Sequence, residues 1–509
     1  MALANFFNKS ALAASQVLNG YDRSAFETRL LNSPVEIAFD EQAISTDEGK
    51  ATLELTVRLL ARLYPELILT GLALKDSEHV AQLRELSQSI NPAIGFEAIT
   101  PVITVVIGAT KIDRSSSVIY IGSDGWVVKL SPQDPVASGN SCNPFAAGAA
   151  ACFGAANVFR LIFNDQLDAA DMDLPFSMSL LNYDRLGQEN LVSKEIDDSG
   201  SINLGVVTLV GIGAIGNGVV WALSKLPILK GELHLVDHEK VDLSNLQRYI
   251  LAGQQDIDNT KSQLGKSQFR HSKLNIHPYN GNWASYLNSG DHWNLDMVLA
   301  AVDSSRDRIA IQGALPKQVL NAWTQPGDLG ISRHLNFLDE ACLNCLYPSK
   351  SAAKSESQLI SESFGLAHEE ITIRELLYNN AVVDAYWAEK IAQAKNIPID
   401  LLMPHLGQPI RNFYHAVFCG GILIGHEQNQ KVETPMAFQS ALAGILLASE
   451  LVTIKGGFRS VPIQTMTRIN LLRPITHYIN EPLRKSNAQN CICQDEDFRA
   501  QYRIKHRPL

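Results

Sequence analysis

Residues 1 to about 170 alternate two spacings of apolar positions. Leu53 to Tyr64 (LELTVRLLARLY) repeats them at helical period, whereas Ile103 to Ala109 (ITVVIGA) and Ser117 to Ser123 (SVIYIGS) are short runs rich in β-branched residues that predict strands. This half is therefore α/β. It closes on the Ala-rich stretch Asn143 to Phe163, where Asn143 offers a helix cap and Pro144 suits the first helical position. A second helix of this kind opens at Thr434-Pro435 and runs to Ile454, so one reading of the layout is two degenerate copies of one domain. Arg160 interrupts the first stretch and Gln439, Ser440 and Glu450 the second, which suits buried helices better than membrane spans.

Polar residues from Gln188 to Ser201 predict a linker, dividing the chain into domains 1–180 and 181–509. Between Cys345 and Cys419 the pattern turns Ser-rich and then amphipathic without clear strands, predicting a helical insertion or crossover over about 346–418. A length of 509 residues exceeds what one hydrophobic core supports, and agrees with two large domains plus that insertion. Hydrophobic residues at 46% and charged residues at 19% leave ample surface to bury, which excludes global disorder. The net charge of -10 argues against a nucleic-acid binder, because phosphate contacts need clustered Lys and Arg, and favours a basic protein partner. The N-terminus lacks a basic start followed by a continuous apolar core, so a cytoplasmic chain is expected. Seven cysteines at uneven spacing then point to metal binding or catalysis rather than a disulfide framework.

The segment VVTLVGIGAIGNGVVWAL sets Gly211, Gly213 and Gly216 after an apolar strand and at the mouth of a helix, where glycine admits a phosphate and the helix N-terminus supplies free N–H groups. A following strand, ELHLVD, ends at Asp237, placed to bind ribose hydroxyls. Taken alone, these features fit an NAD-dependent oxidoreductase equally well. The next segment separates the readings. Asp237, Ser244-Asn245-Leu246-Gln247-Arg248 and Lys261 resemble, in order and spacing, the E1-like ubiquitin-activating superfamily that includes ThiF and MoeB. The resemblance implies a Rossmann-like adenylation domain using ATP and Mg2+, preceded by a degenerate, inactive adenylation-like α/β domain. Arg248 and Lys261 supply cations where charge develops on departing pyrophosphate, and Asn245 can hydrogen-bond phosphate or carboxylate without adding repulsion. A third apolar strand ends at Asp303, which matches the family's metal-linked acid and whose hard carboxylate suits Mg2+; Arg308 follows at the family's arginine spacing. The competing explanations are surface ion pairs for the basic residues and a helix cap for Asp303. One departure is Tyr249, where the family often has Gln, which points to an altered partner surface.

Cys342 with Cys345 and Cys491 with Cys493 form two close pairs able to meet as a four-thiolate structural Zn2+ site, the alternative being ordinary buried thiols. Cys419, followed by Gly420-Gly421-Ile422-Leu423, resembles the superfamily's thioester cysteine; a buried structural thiol is its competitor. Cys142 and Cys152 are expected in the core. The first half has no GxGxxG after a strand and no SNLxR run, so it is not expected to hold ATP in this way; in related proteins such a half lends an arginine, for which Arg23 and Arg29 are available.

The resemblance implies that the chain adenylates the C-terminus of a ubiquitin-like protein, forms a thioester at Cys419 and passes it to an E2-like conjugating enzyme. Its layout is most similar to the E1-like proteins of bacterial ubiquitin-like conjugation in Bil-type antiviral defence operons. The rivals are a sulfur-carrier adenylyltransferase of the MoeB/ThiF type, the NAD-dependent oxidoreductase and an inactive scaffold. A homodimer stays open.

Overall fold

A computed structural model describes residues 3–73, 78–184, 196, 200–270, 272–290, 292–347, 355–414, 416–417, 434–475, 478–486 and 491–507. The chain divides into two compact units. The larger comprises Met1–Phe6, Val17–Pro348 and Pro435–Leu509, and the smaller Phe7–Gln16 with Ser349–Thr434. The smaller unit is helical where described, and it closes over a core that includes Phe364, Ile373, Ile391 and Phe413.

The larger unit holds two sheets. The first contains β1 (Val35–Phe39), β2 (Leu67–Gly71), β3 (Ile103–Ile107), β4 (Ser117–Asp124), β5 (Val127–Ser131) and β6 (Phe176–Ser179), in the order β2-β1-β3-β4-β5-β6. The second contains β7 (Ile202–Val210), β8 (Leu229–Asp237), β9 (Lys273–Asn280), β10 (Met297–Ala300), β11 (Gln318–Thr324), β12 (Leu329–His334), β13 (Met466–Ile469) and β14 (Tyr478–Glu481), in the order β14-β13-β12-β11-β10-β7-β8-β9. The strands of β1 and β3 are buried at every position, the mark of a parallel sheet covered on both faces.

Each of the six strands of the first sheet has a counterpart in the second, which adds β9 and β14 at its two edges. In the first, β2-β1-β3-β4 are parallel and β5 and β6 are added antiparallel. In the second, β8-β7-β10-β11 are parallel and β12 and β13 are added antiparallel. The long Ala-rich helix Pro144–Ile162 lies between β5 and β6 in sequence, and Ala437–Gly456 lies between β12 and β13. These two helices pack on each other, and both are 94% buried over their most apolar window, so their apolarity is used inside the fold. Small residues make the packing close: a Cβ at Gly444 would lie 2.1 Å from the carbonyl oxygen of Ile215 on the helix Ala214–Ser224.

Candidate active site

Three adjacent parallel strands, β10, β7 and β8, end at one edge of the second sheet, and the residues just past them build the site. Beyond β7, Gly211 adopts φ +90°, and a Cβ there would meet the Ala301 carbonyl oxygen at 2.5 Å. At Gly216 a Cβ would meet the Gly211 carbonyl oxygen at 2.2 Å, so any larger residue displaces the loop. Gly213 is the N-cap of the helix Ala214–Ser224, whose first N–H groups face the loop. At the end of β8, Asp237 is buried and takes the Ile212 N–H on one carboxylate oxygen at 2.7 Å and the Glu239 N–H on the other at 2.9 Å. It therefore ties the glycine loop to the strand end.

Asn245 lies in the short 3-10 turn Leu243–Gln247, where its Oδ1 accepts the Asp242 N–H at 3.0 Å. Its amide nitrogen has no hydrogen-bond partner among the described residues. Tyr249, which follows Arg248, is not on a partner surface. It is buried at 3% exposure and forms the centre of the charged cluster, a role the sequence alone did not reveal. The Arg248 guanidinium carbon sits 5.6 Å from its ring centroid and the Lys261 ammonium 5.1 Å from it. Burial raises the Tyr249 phenol pKa, the Lys261 and Arg248 charges pull it back, and the charge of Asp303 adds to the rise. Lys261 is buried at the start of the helix Lys261–Ser267 and pairs with Glu239. Burial alone would lower its pKa; Tyr249, Asp237 and Glu239 outweigh that and hold the ammonium charged. Arg248 differs, because its Nη1 is buried with no hydrogen-bond partner among the described residues. An unpaired buried guanidinium nitrogen is costly, and an anion in the loop would satisfy it. Asp303, just past β10, keeps an exposed carboxylate before the capping Ser304 of the helix Ser305–Gly313. The residues present thus fit a nucleotide phosphate beside Arg248 and a hard cation at Asp303.

Arg308 does not join them. It is buried, donates to Asn321 Oδ1 at 2.9 Å and to the Ala322 carbonyl at 3.1 Å, and stacks over Tyr347. Arg29 pairs with Asp165, and Arg23 pairs with Glu27 one turn along its own helix. The first half instead reaches the site through two arginines that sequence reasoning passed over. Arg58 donates to the Ile250 carbonyl at 3.0 Å, and Arg62 donates to the carbonyls of Tyr249 and Ala252 at 2.6 and 2.7 Å. Their four-residue spacing in LELTVRLLARLY places both on one helix face, which was the available signal.

At the matching position of the first sheet, after β1, stands Asp40 rather than a glycine loop. Its carboxylate accepts the N–H groups of Gln42, Ala43, Ala109 and Thr110. Those donors are satisfied from within.

Cys342, Cys345, Cys491 and Cys493 converge, with Sγ–Sγ separations of 3.5 to 3.8 Å. Four sulfurs about 2.3 Å from one tetrahedral centre lie about 3.8 Å apart, so the thiols fit Zn2+. Cys419 lies outside the described residues. Cys142 and Cys152 are buried, and burial pushes the Cys152 thiol pKa well up.

A glycine loop, a strand-end aspartate and an arginine whose Nη1 has no partner among the described residues, all at one parallel-sheet edge, are the features of a nucleotide-binding α/β protein. Residues 190–493 match the ThiF family, and the chain belongs to that family of E1-like adenylyltransferases. Residues 38–164 match a second family, Prokaryotic E2 family C. Over 511 residues the chain is 44% identical to "Uncharacterized protein y4jF" of Sinorhizobium fredii, covering 99% of this chain and 98% of that one. It is 31% identical over 160 residues to ubiquitin-like modifier-activating enzyme 5 of Drosophila persimilis, a match spanning 28% of this chain and only 41% of that protein. A crystal structure of E. coli MccB with ATP aligns at 14% identity and TM-score 0.35, over 56% of this chain and 65% of that chain.

Proposed function

We propose that this protein uses ATP and Mg2+ to adenylate the C-terminal carboxylate of a ubiquitin-like protein, takes the acyl group onto Cys419 as a thioester, and passes it to an E2-like conjugating enzyme. The observation that best supports this reading is the buried, unpaired Nη1 of Arg248 at the strand edge beside Lys261. When the carboxylate oxygen bonds to the α-phosphorus and the bond to pyrophosphate breaks, negative charge grows on the leaving oxygens, and a preorganised guanidinium stabilises it. Asp303 would hold Mg2+, which would supply further positive charge for the leaving oxygens. The thioester step rests on the sequence around Cys419: its thiolate attacks the acyl carbon and AMP departs.

The family matched by residues 38–164, and the named activity of the Drosophila relative, support a ubiquitin-like substrate. A separate E2 is the better acceptor, because the cysteines within 38–164, Cys142 and Cys152, are buried. The first half then acts as an inactive adenylation-like domain, a reading supported by its matching strand order and by the Asp40 carboxylate at its strand end. The test is to incubate the protein with ATP, Mg2+ and the ubiquitin-like protein encoded beside it, following pyrophosphate exchange and intact mass. A thiol-sensitive adduct lost in Cys419→Ala is expected. Exchange with no adduct would replace the thioester step by sulfur-carrier activation, and absence of exchange would sink the adenylation reading.

A further inference from the structure

We infer a second metal site, for a divalent cation such as Zn2+, on the outer edge of the second sheet, formed by Glu232 and His234 of β8 and His277 of β9, with His292 beside them. Glu232 and His234 are two residues apart on one strand and so share a face. His277 is the register partner of His234 across the β8–β9 pair, which brings it to the same face. Both imidazoles turn toward one carboxylate oxygen: His234 Nε2 lies 3.6 Å and His277 Nε2 3.8 Å from Glu232 Oε2. The three donor atoms lie within 4.8 Å of one another. Ligand atoms about 2.1 Å from a tetrahedral Zn2+ stand about 3.4 Å apart, so each Glu232–histidine separation need close by only a few tenths of an ångström and the two imidazole nitrogens by no more than about 1.4 Å.

Two histidines and one carboxylate form a ligand set suited to borderline divalent ions, unlike the soft four-thiol cluster. His292 stands edge-on to His234 at 5.4 Å and stacks on Tyr286, flanking the three-residue cluster. Exposure is graded to suit capture from solvent. The His234 side chain is 12% exposed and anchored, while His277 and Glu232 are half exposed and open to an arriving ion. β9 is the terminal strand of its sheet, and a metal here would fasten it to β8 three residues before Asp237.

The experiment uses full-length protein that retains its thiolate-bound zinc, dialysed to equilibrium against low-micromolar Zn2+ or Co2+. Wild type is expected to hold one metal equivalent per chain more than His234→Gln/His277→Gln. Co2+ bound there should give ligand-field absorption without a thiolate charge-transfer band. Cys493→Ser should lose the other equivalent while leaving this one. If the double variant fails to fold, Glu232→Gln, at a half-exposed position, should still weaken the nitrogen-oxygen site at least tenfold. Equal metal content in wild type and the variants, or Co2+ bound with thiolate bands alone, would overturn the assignment and leave a simple His–Glu ion pair.

Discussion

Arg62→Met removes the guanidinium that reaches from the end of the Asp47–Leu60 helix to the segment following Arg248, while keeping most of the apolar stem. Arg62 is 2% exposed and has no carboxylate partner; burial, followed by the nearby Arg58 charge, pushes its pKa down. Each hydrogen bond from a charged donor contributes about 1.5–3 kcal/mol, so the two bonds to Tyr249 and Ala252 are worth roughly 3–6 kcal/mol. Removing the unpaired buried charge offsets several kcal/mol of this, as replacement of buried ions by apolar residues commonly does. The net change in stability should therefore be only about 1–2 kcal/mol by the difference between these terms. The position of Arg248 and Tyr249 is a separate matter, because no apolar side chain can hold those carbonyls. If about half of the lower figure is expressed as displacement of the nucleotide site, KM for ATP rises roughly tenfold, at about 1.4 kcal/mol per decade. The assay is pyrophosphate exchange across ATP concentrations with urea unfolding in parallel, and Arg62→Lys, which keeps charge but not the fork, should fall between. A KM for ATP within about twofold of wild type in folded Arg62→Met protein would refute the reasoning, since a factor of two is only about 0.4 kcal/mol.

Gly216→Ala sets a Cβ against the Gly211 carbonyl oxygen and should abolish nucleotide-dependent thermal stabilisation with only a modest loss of stability in the apo protein, read by differential scanning fluorimetry with and without ATP. Glu450, buried in the helix Ala437–Gly456, accepts bonds from Arg333, Arg459 and Tyr183. Burial raises its pKa, but the two guanidiniums bring it from 4.5 to about 2, so its stabilisation is full above the unfolded carboxyl value and lost as pH falls through about 2. Urea unfolding from pH 6 downward should show this acid limb flattened in Glu450→Gln, which also costs about 3–5 kcal/mol at neutral pH by stranding two buried cations. Asp303→Asn should suppress exchange at least a hundredfold with unchanged unfolding, because the exposed carboxylate contributes to the metal rather than to packing. A strong zinc chelator should expose the four thiols to a colorimetric thiol reagent and destabilise the C-terminal helix Glu496–Lys505, detectable by hydrogen exchange.

Sequence reading reached the second half through residues whose identity is dictated by local chemistry. The placement of the glycines, Asp237 and Asp303 at strand ends was legible because each follows directly on an apolar run, and the meeting of the cysteine pairs because two close pairs of soft ligands suit one tetrahedral centre. What stayed hidden depends on packing across long sequence separations. Tyr249 read as a change to the partner surface, whereas its buried ring lies against both cations. Arg308 had the spacing of a phosphate ligand, yet its guanidinium is consumed by Asn321 and Ala322 on β11. Arg58 and Arg62 read as ordinary helical charges because their acceptors are backbone carbonyls nearly two hundred residues away, and a carbonyl leaves no mark in sequence. The Glu232–His234–His277 cluster was missed for a related reason: the register between β8 and β9 decides it, and periodicity does not give register.

Two sheets of matching order with one cationic site raise the question of why the other sheet lacks one. After β1 the Asp40 carboxylate occupies N–H groups on both its own helix and the β3 loop, the donors an anion would otherwise recruit. Glu48, in the first turn of the following helix Asp47–Leu60, likewise accepts from Ser123, the Gly125 N–H and Ser141. A carboxylate built into the chain satisfies such donors without the entropy cost of capturing a ligand, so this arrangement stabilises the first half permanently and repels phosphate. In the second half Asp237 likewise takes the Ile212 and Glu239 N–H groups, but Nη1 of Arg248 has no partner among the described residues. The stability forgone at Arg248 is recovered only when an anion arrives, and the segment carrying it is held from the first half by Arg58 and Arg62.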